Sequence, residues 1–162
     1  MLKTCVIVAD RARARLFVTA TPPERFVKVA PIELRELEDL TDPEGVMTGG
    51  ELFSSTRSGT NRSPHGASFE YDDHRAGHRA EAERRFAKRI ALATKQVLAR
   101  EKPSHLVIAV EPHLLGILRH ELGDELPGVT SRRELAEDLS WHTPRRILET
   151  LERHGALNAT GA

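Results

Sequence analysis

TCVIVADRARARLFVTA, residues 4–20, decides the fold. An apolar run from Cys5 to Ala9 stops at Asp10, gives way to the charged, alanine-spaced residues 11–15, and resumes as Leu16, Phe17 and Val18. Both halves are rich in the β-branched and aromatic side chains that favour strands. A run apolar at nearly every position predicts a strand covered on both faces, with helices above and below the sheet. The residues between the halves are too few for a crossover helix, so the second strand returns antiparallel beside the first.

Working outward, HLVIAV at 105–110 has the same character and predicts a second central strand beside the first. Between them, residues 78–100 repeat Ala82, Phe86, Ile90, Ala93 and Val97 at helical spacing, with Ala87 and Leu92 widening the stripe. Pro112 opens a further helix carrying Leu114, Leu115, Ile117, Leu118 and Leu122. Residues 26–29 and 32–37 predict a third, more exposed strand, and residues 127–130 a short last one. Leu135, Leu139 and residues 144–154 read as helical. Residues 41–76 are rich in Gly, Ser and Pro without a sustained apolar period, and predict a long loop insertion, with short strands only near 51–53 or 67–69. The expectation is a single three-layer α/β domain over residues 1–155, with a mixed sheet of about five strands and a frayed tail at 156–162.

Composition narrows the chemistry. The chain has 162 residues, 39% hydrophobic and 30% charged, enough for one buried core. Its 24 basic and 24 acidic residues cancel, so any case for a polyanionic partner must rest on local asymmetry. Cys5 is the only cysteine, which excludes an intrachain disulfide and a cysteine metal cage and fits a reducing compartment. In its apolar strand it reads as a buried, inert thiol. The opening MLKTCVIVAD does not read as a secretory signal and no stretch is apolar enough to span a bilayer, so a cytoplasmic location without a membrane partner is expected. No glycine pattern of a dinucleotide or P-loop site occurs, no nucleophile elbow precedes Ser58 or Ser63, and no cofactor is expected.

Three constellations carry chemistry. Asp10 and Glu111 close the two central strands, and Glu81 or Glu83 lies near the start of the long helix; carboxylates so placed would suit a metal-dependent phosphodiester hydrolase. Asp10 is equally a turn residue, and Glu111 before Pro112 a helix-start acid. Asp72, Asp73, His74 and His78 have spacing suited to a metal, or to a capping acid followed by solvent-facing histidines. Arg75, Arg79, Arg84, Arg85 and Lys88 with Arg57 and Arg62 of the preceding loop form a basic stretch suited to phosphate contacts, or to a solvated helix face.

The stretches VIVADRARARLFV at 6–18, ERRFAKRIALATKQVL at 83–98, HLVIAVEPHLLGILRHEL at 105–122 and ELAEDLSWHTPRRILETL at 134–151 resemble the bacterial host attachment proteins, named for a requirement in attachment to host cells. The chain departs from that pattern at Arg11, where glycine is usual, and at Glu137, where lysine is. The family in turn is similar to the middle domain of archaeal and eukaryotic peptide-chain release factors, whose loop carries Gly-Gly-Gln. This chain has Gly49, Gly50 and Glu51 in the corresponding loop. The resemblance implies a non-catalytic binding module related to translation, with that loop and the basic helix start meeting the ribosome, RNA or a translation-associated protein.

Overall fold

The computed structural model describes residues 3–20, 31–46 and 68–158, with only the backbone given over 68–73. The elements run β1 (Thr4–Ala9), β2 (Arg13–Ala20), β3 (Glu33–Thr41), α1 (Pro43–Val46), α2 (Ser68–Glu101), β4 (His105–Val110), α3 (Pro112–Leu122), β5 (Ser131–Leu135) and α4 (Pro144–Arg153). They form one five-stranded sheet in the order β3-β2-β1-β4-β5. β1 is central, antiparallel to β2 and parallel to β4, as the two-sided apolarity of β1 and β4 requires.

Alternation along each strand builds two cores. Cys5, Ile7, Ala9, Leu16, Leu106, Ile108 and Val110 face α2 and α3, where they meet Phe86, Ile90, Leu114 and Leu118. Val6, Val8, Phe17, Val107 and Ala109 face the opposite side, against Leu139, Ile147 and Leu151 of the α4 layer. Each large side chain fully buried in this way contributes about 1.5–3 kcal/mol.

β3 reads ELRELEDLT and is the half-exposed edge expected, displaced to Glu33–Thr41 from the anticipated 32–37, while the anticipated stretch 26–29 lies outside the described residues. A bulge opposite Leu16 and Phe17 places Leu37 outside the ladder. It inverts the side-chain alternation, so Leu34 packs in one core while Leu37 and Leu40 pack against the other.

Several expectations are corrected. The region expected to be loop contains α1, and α2 already begins at Ser68, so Phe69 is helical rather than in a strand. The suggested strand at 51–53 lies outside the described residues. Leu92 is 60% exposed, on the far side of α2 from its buried stripe. The last strand is SRREL at 131–135 rather than 127–130, and Leu135 ends it instead of entering a helix. Its backbone pairs parallel with β4, and as an outer strand it tolerates charged side chains that a central one would not. The tail does not fray at once: Ala156 and Leu157 are buried, and the Ala156 carbonyl accepts from His105 Nε2 at 2.8 Å. Among the described residues no helix is long and apolar enough to cross a membrane.

Candidate functional site at the carboxyl edge of the sheet

β1 and β4 are parallel neighbours and end together, at Ala9 and Val110. Asp10 and Glu111 therefore emerge side by side, and the Glu111 amide donates to the Ala9 carbonyl at 3.1 Å. An open cleft here is lined by Asp10, Arg11, Ala12, Gly45 and Glu111. Its floor is a tightly held turn. Asp10 Oδ1 accepts from the amides of Ala12 and Arg13 at 2.7 and 2.8 Å, the Asx geometry that short acids favour in turns. From the other side, the Asp42 amide donates to the Ala12 carbonyl at 2.8 Å. A Cβ on Gly45 would lie 1.9 Å from the Arg11 carbonyl oxygen, so only glycine lets α1 pack onto this turn.

α2 contributes Glu83 from the sheet's first face. It is buried although its neighbours Arg84 and Arg85 are exposed. Glu83 Oε2 lies 2.7 Å from Nε2 of His113, in the first turn of α3, and Oε1 lies 3.6 Å from Arg11 Nε. The same guanidinium reaches Glu111 at 4.0 Å. From the second face Trp141 donates its indole N–H to Asp10 Oδ2 at 2.5 Å.

Of the acids singled out in the sequence, Asp10, Glu83 and Glu111 do converge. Glu81 does not: it is exposed and paired with Arg84 at 3.6 Å. The three that converge do not fit a resident metal ion. Glu111 caps α3, accepting from the His113 and Leu114 amides at 3.3 and 3.2 Å. Asp10 is used by the turn and by Trp141, and Glu83 by His113 and Arg11. Among the described residues no group of three His, Cys, Asp or Glu is placed to hold a metal. His74 and His78 are exposed on α2, and Asp72 and Asp73 lie in its first turns.

The expected binding surface divides. Gly49, Gly50, Glu51, Arg57 and Arg62 lie outside the described residues. Arg75, Arg79, Arg84, Arg85 and Lys88 are exposed along α2, but Arg85 is paired with Glu44 at 3.0 Å and Arg84 with Glu81, so part of the local positive charge is neutralised internally.

His113, Arg11 and Trp141 escaped the sequence reading as site residues. His113 follows Glu111, which lines the cleft, by two positions and lies in the first turn of a helix that starts where a central strand ends. That was the available signal. The pairing with Glu83, thirty residues earlier in the chain, had none.

A family model described as "Protein required for attachment to host cells" matches residues 5–151. No curated protein matches. Among solved structures, a Thermus thermophilus RuvC structure is similar over 98% of this chain and 83% of that one, at 15% identity and a TM-score of 0.34. That solved structure is a RuvC and not a release-factor middle domain, and at this level of similarity it carries no argument about fold or function. The expectation of a non-catalytic translation or RNA-binding module, leaning away from an enzyme, is corrected at the site itself, where Glu83, Glu111, His113 and Arg11 come together. Acidic residues at the strand ends, which that module did not use, are what the structure brings together.

Proposed function

The chain belongs to the family of proteins required for attachment to host cells, and from that premise we propose that it is a phosphodiester hydrolase, nuclease-like, working where β1 and β4 end. The family description gives a phenotype and no reaction, so the site supports the reading. The observation that carries it is Glu83, buried and held between the His113 imidazole at 2.7 Å and the guanidinium at 3.6 Å of Arg11, which lines the cleft.

Hydrolysis of a phosphodiester needs a proton acceptor for water and positive charge for the phosphoryl oxygens. Glu83 accepting from Nε2–H fixes the imidazole tautomer with Nδ1 as its basic nitrogen. Nδ1 takes a proton from the attacking water as the new phosphorus–oxygen bond forms. The bond to the leaving oxygen breaks, and that oxygen is protonated from solvent. Arg11 is half-exposed and turns from its carboxylates to the phosphate. Glu111 and Asp10 hold the helix start and the turn, so that His113 and Arg11 keep their places. No step is routed through a metal ion.

The test is hydrolysis of bis(4-nitrophenyl) phosphate and of a single-stranded oligodeoxynucleotide, with magnesium or manganese and with a chelator. The wild type turns over, and His113→Ala and Glu83→Gln each lose about 100-fold or more in kcat while remaining folded. Absence of turnover in every ionic condition, or wild-type rates in both variants, overturns the reading.

A further inference from the structure

We propose that Trp141 is a stacking platform for an unpaired nucleobase of the substrate, a reading that rests on the hydrolase proposal and names the substrate class of the same cleft. Trp141 is the only tryptophan in the chain, and it is 64% exposed. An indole left in water forfeits burial that few side chains can match. Isolated exposed apolar residues are ordinary, but this one is held in place from three directions.

Its N–H is directed to Asp10 Oδ2, which sets the ring beside the cleft. The Arg13 guanidinium lies 5.3 Å from its ring centroid and is itself fixed on Asp39 by bonds of 2.9 and 2.7 Å. The backbone on either side is pinned by the buried Arg15, whose Nη1 donates to the Ser140 and His142 carbonyls at 3.2 and 2.6 Å. Ser140 and Leu139 are buried just before it, and Thr143 caps α4 just after. The result is a rigid chain carrying an oriented, largely exposed aromatic ring against the carboxylate that closes β1.

A planar ligand stacks on such a ring with little ordering cost, because the ring is already positioned. A phosphodiester whose phosphate meets Arg11 carries its base to the lip of the cleft where Trp141 stands. Stacking does not read base identity, so the site takes single-stranded substrate with little sequence preference. A base held within a duplex presents no free face to the indole.

The experiment uses the intact chain and two probes of ten nucleotides, phosphorothioate-linked to resist cleavage: oligothymidylate and an abasic deoxyribose-phosphate strand of the same length. Oligothymidylate is expected to quench the single tryptophan's fluorescence and to bind about 10-fold more tightly than the abasic strand. With fluorescein-labelled probes, Trp141→Ala abolishes that difference and Trp141→Phe keeps most of it, circular dichroism confirming that both fold. Equal affinity for the two strands, or an undiminished difference in Trp141→Ala, overturns the proposal. Hydrolysis is measured separately: base-dependent binding without turnover removes the hydrolase reading and leaves the platform, whereas turnover without base-dependent binding removes the platform and leaves the hydrolase.

Discussion

Cys5 sits at the centre of the sheet with no exposed surface, and its thiol is pushed up from 9.0 to about 12, first by burial and then by the nearby negative charge of Glu101. A thiol so placed is a packing atom, and slow labelling in the native state is the corresponding behaviour. The shift has a definite sign for stability. Below about pH 9 both states carry the proton and the group's contribution is fully present. Above it the unfolded chain loses the proton while the folded one keeps it, so stability falls by about 1.4 kcal/mol per pH unit until the folded thiol ionises near pH 12. Urea melts of wild type and Cys5→Ala between pH 8 and 10.5 isolate this effect. The difference between the two proteins should stay flat up to about pH 9 and then move against the wild type. A flat difference across the whole range contradicts it.

Among the elements, α3 shows how a carboxylate at a strand end can serve the backbone. Glu111 both leaves β4 and caps α3, with Pro112 in the first turn where its missing N–H costs nothing. Glu111→Ala should cost about 1 kcal/mol, and Glu111→Asn, which can still cap, a few tenths, as read from denaturation midpoints. In the hydrolysis assay Glu111→Asn should stay within a few-fold of wild type, since it keeps His113 in place. A loss as large as that of His113→Ala would instead make Glu111 part of the chemistry. Much at this scale was legible from sequence: the uninterrupted apolar runs of β1 and β4 announced central strands, and the stripe through Phe86 and Ile90 announced α2. β5 was not, because SRREL offers a single apolar residue, Leu135, beside a charged run, and so carries no apolar alternation to mark a strand. The start of α2 was hidden for a related reason. Its first turns carry the polar run DDHRAGH and reach beyond the core that makes the later turns recognisable.

For the whole molecule, Arg15 joins what local pattern cannot. It lies on the inner strand β2, only 8% of its side chain is exposed, and it forms a bidentate pair with Glu36 of β3 at 2.7 Å. It also holds the carbonyls of Ser140 and His142, more than a hundred residues away. In sequence it is one arginine of a hairpin turn, and nothing in residues 11–15 tells which arginine is buried. The same separation hid the link between Asp10 and Trp141, so the cleft's partners were unreadable even where the strand ends were plain. Arg15→Ala removes the donor from two carbonyls and the partner from a half-buried carboxylate, and should cost about 3 kcal/mol. Arg15→Lys keeps the charge but loses the planar fork, and should fall between. The strap carrying Trp141 should loosen before the sheet does. In Arg15→Lys, at temperatures where circular dichroism is still native, acrylamide should therefore quench Trp141 more readily and the preference for oligothymidylate over the abasic strand should shrink. A variant that is destabilised yet keeps the wild-type preference would mean that Trp141 is positioned by its bond to Asp10 alone, and that the buried arginine serves the sheet without serving the cleft.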